Sequence, residues 1–157
     1  MRVAVTVGLG ALMMTAAPAA ADWRFTKWGM SPAQVITAGA GSVVALDGDA
    51  QRAASTFRGR TCEAEMVAPQ EMGGVTFSSV RFCFDNDGKL ASVDLRADAD
   101  DFAAVDRALA SAFGQPAVSD DGAIPERIYN DEAKGNTLRL VRISDTILSY
   151  SPRATGF

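Results

Sequence analysis

Cys62 and Cys83 are the side chains with the most chemistry to offer, and no histidine accompanies them. Without histidine the chain cannot run a Ser-His-Asp or Cys-His relay, hold zinc through imidazole, or switch charge through that residue. The two cysteines do not form a C-x-x-C pair, so thiol catalysis is not expected. An even pair in an oxidising compartment reads as a disulfide. Spanning 21 residues, it would stabilise the fold by roughly 3 kcal/mol. The competing reading is two separate thiols.

The carboxylates come next. Asp98, Asp100 and Asp101 could be paired acids or a cation site, but they stand at the start of an expected helix, where the positive end of the dipole accounts for them. Asp85-Asn86-Asp87-Gly88 resembles part of a calcium loop. Placing Gly88 at the sixth position of that loop puts Cys83 first and Asp94 twelfth, neither of which suits the ion. A hairpin turn explains the run more simply. Arg81, Asp94 and Arg96 fall on the polar side of a strand pair, as a recognition face or as a solvated sheet face. Gly39-Ala40-Gly41 lacks the third glycine and the flanking strand and helix of a nucleotide loop. No Ser-x-x-Lys, G-x-S-x-G or zinc motif occurs. No cofactor and no metal are expected.

The N-terminus sets the compartment. Met1-Arg2 precedes an apolar, Ala- and Gly-rich run, and A-P-A-A-A precedes Asp22. That is a secretory signal over residues 1–21, with cleavage between Ala21 and Asp22. The run is too short and too weakly apolar for an anchor, no cysteine lies near the cut, and no Arg-Arg pair precedes it. The expected location is the bacterial periplasm. The remaining 136 residues suit a single domain over 22–157. The formal net charge of −4 becomes one unit more negative once Arg2 leaves. An acidic domain without a basic cluster is a poor partner for nucleic acid.

These residues need elements to hold them. Trp23, Phe25 and Trp28 read as a short strand or extended arm pinned to the core, against an exposed aromatic binding site. In M-S-P-A-Q-V, Ser31 is an N-cap, Pro32 opens a helix, Gln34 completes a capping box and Met30 can staple onto Val35. Gly39 and Gly41 end that helix at once. Residues 43–60 read as a loop with some helical turns, including a short helix capped by Asp49 and running to Phe57.

Strands are expected over Thr61–Ala68, Val75–Phe84 and Leu90–Arg96. In the first, Cys62, Ala64 and Met66 alternate against Glu63 and Glu65. A turn at Asp87-Gly88 opposes Phe84 to Ala91, Phe82 to Val93 and Val80 to Leu95, giving one apolar face. The other face then pairs Arg81 with Asp94 and Cys83 with Ser92. A turn at Met72-Gly73 opposes Cys62 to Cys83 but sets Glu63 and Glu65 against Phe82 and Val80. A bulge at Ser78-Ser79 relieves that conflict yet takes Cys62 off the face of Cys83. Asp98–Phe113 is a helix with Phe102, Val105, Leu109 and Phe113 on the stripe that should bury the apolar face of the sheet. Strands follow over Glu126–Asn130, Thr137–Ile143 and Thr146–Ser151. The order is α-βββ-α-βββ, an α+β domain with about six antiparallel strands and helices on one face.

W-G-M-S-P-A-Q-V and F-C-F-D-N-D-G-K-L-A-S-V-D-L together resemble small secreted bacterial modules that pair a capped helix with a three-stranded meander. The SmpA/OmlA-type outer-membrane assembly lipoproteins and the beta-lactamase-inhibitor-like modules share that layout. A-F-G-Q-P at the end of the second helix is similar to segments of such domains. The resemblance implies a non-catalytic envelope module that binds another protein or peptide. It transfers no functional residue, and the absent lipobox cysteine departs from the lipoprotein members. Two other classes compete: a carboxylate-dependent envelope enzyme acting on glycans, and a carrier of a small apolar ligand.

Overall fold

Ser31 begins the first helix. Its backbone is extended, with φ −76° and ψ 163°; its hydroxyl accepts from the Gln34 N–H, and the Gln34 side chain accepts from its own N–H at 2.8 Å. This reciprocal cap satisfies donors that the first turn leaves open. The helix α1 (Pro32–Ala38) buries Val35 completely and ends at Gly39. A Cβ at Gly39 would lie 2.5 Å from the Val43 side chain, so the chain can double back here only on glycine.

The computed structural model describes residues 23–54 and 59–154. The expected signal segment and its cut between Ala21 and Asp22 lie outside the described residues. After α1 come β1 (Val43–Ala45), α2 (Gly48–Ala54), β2 (Thr61–Met66), β3 (Gln70–Met72), β4 (Val75–Phe77), β5 (Ser79–Phe84) and β6 (Leu90–Ala97). A short 3-10 turn (Ala99–Asp101) leads into α3 (Phe102–Phe113). β7 (Val118–Asp120), β8 (Glu126–Asp131), β9 (Asn136–Arg142) and β10 (Thr146–Pro152) complete the described elements.

Eight strands form one sheet in the order β1-β2-β5-β6-β10-β9-β8-β7, antiparallel at every pairing, and β3 and β4 form a separate hairpin. The α+β class and the antiparallel sheet agree with the sequence pattern. The count of about six strands does not. In the main sheet the order is α-ββββ-α-ββββ, with α2 inserted after β1. Each half runs inward from its own edge, and the halves meet where β6 pairs with β10.

Four local expectations need correction. First, residues 43–60 hold the edge strand β1 as well as a helix, and Asp47 rather than Asp49 caps that helix, accepting from the Ala50 N–H at 2.8 Å. Second, Val75–Phe84 is not one strand. Val75 and Phe77 are out of phase with Val80, Phe82 and Phe84, so no single strand could bury both sets on one face. The chain breaks at Ser78, whose N–H still reaches the Arg96 carbonyl at 2.8 Å, and all five side chains are buried.

Third, Phe84 opposes Leu90 rather than Ala91, while Val80–Leu95, Arg81–Asp94, Phe82–Val93 and Cys83–Ser92 pair as expected. The slip comes from the turn. Gly88 adopts φ +68°, Asp85 accepts from the N–H groups of Asp87 and Lys89 and donates its own N–H to the Lys89 carbonyl, and this longer turn leaves Ala91 as the unpaired residue between Leu90 and Ser92. Fourth, β2 is irregular between Cys62 and Ala64. Cys62 faces Cys83 while Ala64 faces Phe82, so the two lie on opposite sides of the sheet, not on one. This bulge at Glu63 resolves the conflict that the sequence posed and sets Glu65 against Arg81.

One face of the sheet is sealed. Val80, Phe82, Phe84, Val93, Leu95, Leu138, Leu140 and Leu148 form its buried centre. Val35 of α1, Val75 and Phe77 of the β3–β4 hairpin, and Phe102, Val105 and Leu109 of α3 close over it. Phe102, Val105 and Leu109 of the expected stripe are therefore buried and Phe113 is half-buried, but α3 lies chiefly over β8 and β9. Phe82 is covered instead by the N-terminal arm, with the Trp23 and Phe25 rings 5.7 and 6.0 Å away. No helix among the described residues is long and apolar enough to cross a membrane.

Candidate functional site

The opposite face is where the chemistry-bearing residues converge. Strand alternation sends Val93, Leu95 and Ala97 inward and Ser92, Asp94 and Arg96 to this side. Directly opposed residues share a face, so the register draws one row across all eight strands: Val44, Glu65, Arg81, Asp94, Ser149, Arg139, Ile128, Val118. A neighbouring row runs Ser79, Arg96, Ile147, Val141, Glu126, Asp120.

The face is closed at one end and open at the other. At the β2–β5 end a disulfide joins Cys62 to Cys83, with Cα atoms 3.8 Å apart, and Leu46 packs upon it. Both cysteines are fully buried. Asp94 is only 8% exposed, and one of its oxygens lies 3.7 Å from the Cys83 sulfur. Burial raises its pKa above the ordinary carboxylate value, against the lowering pull of hydrogen bonds from Ser149 and Ser92 and the charges of Arg60 and Arg96. Arg81 Nε lies 3.6 Å from the Glu65 carboxylate and has no hydrogen-bond partner among the described residues. Arg96 pairs with Asp145 at 3.5 Å and keeps about a third of its side chain in solvent.

Of the three residues expected on a binding face, all three share it, but Asp94 is sealed beneath its neighbours and Arg81 is held against Glu65. Arg96 alone borders the open end. There Arg139 is paired with Glu126, and Ile128, Ile147 and Ser149 are half-buried beside them. No local pattern points to this second half, because its residues come from strands far from Arg81 in the chain.

The acid triplet stands at the start of the 3-10 turn that leads into α3. Asp98 lies at the cap position of the 3-10 turn, and Asp100 and Asp101 follow in its first turn, where the dipole accounts for them. A different acid, Asp106, accepts the Tyr129 hydroxyl and lies 3.5 Å from Arg127, which also pairs with Asp121 at 2.5 Å. The Phe102 ring sits between Arg127 and Arg142 at 5.7 and 5.5 Å. Burial, then the Asp106 carboxylate, pushes the Tyr129 hydroxyl well above the usual phenol range. These groups satisfy one another and tie α3 to the sheet.

The ligand atoms of Cys62, Cys83 and Asp94 lie within 4.8 Å of one another. Metals bind thiolate, and here each sulfur is bonded to the other, so the trio does not hold an ion in this state. Along α1 an open apolar groove of about 370 Å³ is lined by Met30, Ala33, Gln34, Thr37 and Ala38. Comparison of the chain with family models, curated proteins and solved structures found no match.

Proposed function

We propose that this chain is a soluble periplasmic, non-enzymatic module that binds another protein or a peptide of the cell envelope. Its contact surface is the open half of the polar sheet face, around Arg96, Arg139, Ile128, Ile147 and Ser149. The observation that carries this reading is the asymmetry of one sheet. One face is sealed by α1, a hairpin and α3, while the other presents apolar and charged side chains side by side across β8, β9 and β10. A shallow surface of isoleucines bordered by arginines suits a protein partner, since buried apolar contacts and arginine anchors dominate such interfaces. The signal segment, the disulfide and the resemblance to envelope modules support the compartment.

The test is site-specific photo-crosslinking in the native envelope. A photoreactive residue at Ile147 or Ile128 should capture a defined partner, and one at the exposed Arg107 of α3 should not. Arg139→Glu should reduce the Ile147 adduct. Capture from Arg107 alone, or an Ile147 adduct indifferent to Arg139→Glu, would move the contact surface elsewhere.

A further inference from the structure

Asp94 is a poor choice for a merely structural position. A buried carboxyl carries a desolvation cost that serine or threonine would avoid. Its placement is specific. It follows Val93 on β6, opposes Arg81 on β5 and Ser149 on β10, and brings one oxygen to 3.7 Å from the Cys83 sulfur. In the disulfide that sulfur carries no proton, so the approach is a contact with nothing for a carboxylate to accept. A proton is shared there only when Asp94 is protonated, or when Cys83 is a thiol.

We propose that Asp94 is the proton acceptor for the Cys83 thiol when the Cys62–Cys83 bond forms, and the donor when it is broken. The oxidant is a small-molecule disulfide such as oxidised glutathione. Both sulfurs are buried under Leu46 in the closed protein, so the exchange starts when that cover lifts; the Cys62 thiolate then attacks one of the oxidant's sulfurs, forming a mixed disulfide and releasing one thiolate, which takes a proton from solvent. Cys83 then passes its proton to the Asp94 carboxylate, and its sulfur attacks the Cys62 sulfur. The Cys62–Cys83 bond forms, the bond to the small thiol breaks, and the second thiolate is protonated from solvent. Two protein thiols are oxidised and one small disulfide is reduced to two thiols. The proton ends on Asp94, beside the finished bond.

The surroundings favour this assignment. The hydroxyls of Ser92 and Ser149 and the guanidiniums of Arg60, Arg81 and Arg96 around Asp94 are not bases near neutral pH. The nearby carboxylates Glu65 and Asp145 are engaged by Arg81 and Arg96. Burial, which raises the affinity of Asp94 for a proton, narrows its mismatch with a thiol near pKa 8.5 and eases the transfer.

The test is the pH dependence of closure in the whole exported chain. The protein is reduced without denaturant and the reductant removed. Oxidised glutathione is then added, and free thiol, mixed disulfide and closed forms are counted by acid quench and mass. At about pH 6 the wild type should close about a hundredfold faster than Asp94→Asn, the low end of what a positioned base supplies. The variant should accumulate the mixed disulfide, and its closure should follow the thiolate fraction. Near pH 9, where the thiol ionises unaided, the two rates should converge. Asp94→Ser gives the same comparison if Asp94→Asn does not fold when reduced. Parallel pH profiles, or a rate ratio that persists at pH 9, would overturn the proposal and leave Asp94 a structural group.

Discussion

Each half of the sheet sets four strands after a helix, the first with α2 and the β3–β4 hairpin added, and the two are held by different means. In the first half the ladder is repeatedly interrupted: at the bulge by Glu63, at the break by Ser78 and at the slip between Cys83 and Phe84. That half carries the disulfide. In the second, β8, β9 and β10 pair in unbroken register, and the lock to the helix is the Arg127–Asp106–Tyr129 cluster. An irregular ladder fixes its strands less firmly, and a covalent clasp between adjacent strands makes up the difference. A regular ladder needs only polar side chains to seat its helix.

The largest effect expected is in the first half. Phe82 is fully buried and touches both rings of the N-terminal arm. Phe82→Ala should cost about 3–5 kcal/mol in chemical denaturation, enough to threaten a domain of ordinary stability. A loss under 1 kcal/mol would mean that the arm does not close on the sheet.

Reduction comes second. Opening the 21-residue link should cost roughly 3 kcal/mol. Unfolding midpoints with and without reductant give the value, and equal midpoints would deny the disulfide its stabilising part. Third is the polar lock of the other half. Tyr129→Phe removes the hydroxyl that Asp106 accepts, at about 1 kcal/mol, with little change in packing. No loss would show that the Arg127 pairs seat α3 without it.

The smallest effect is a slope. The native pKa of Asp94 is raised, so the folded state binds its proton more tightly than the unfolded chain. Stability from this group is therefore greatest below the ordinary carboxylate range and declines as pH rises to the native value. Asp94→Asn should lack that decline. An unchanged difference between variant and wild type across the acid range would show Asp94 to be solvated.

Much of this was legible in the residues. Ser31, Pro32 and Gln34 announced α1 because caps are local chemistry. The β5–β6 register followed from apolar matching as far as Cys83, and failed at Phe84 because a bulge set by the turn is a property of the loop. The three-residue edge strands β1 and β7 were missed, since exposed strands that short carry no periodicity. The bulge at Glu63 leaves no mark in composition. The burial of Asp94 was hidden for a similar reason. Alternation placed it correctly on the polar face, but its enclosure depends on Ser149 and Arg60, which no local pattern links to it.

The claim that each half has its own lock is tested most directly by amide hydrogen exchange with and without reductant. Reduction should lower protection first and most in β1 and β2, with β8 and β9 nearly unchanged at low denaturant. An equal fall in both halves would contradict the division and make the disulfide a clamp on the whole sheet.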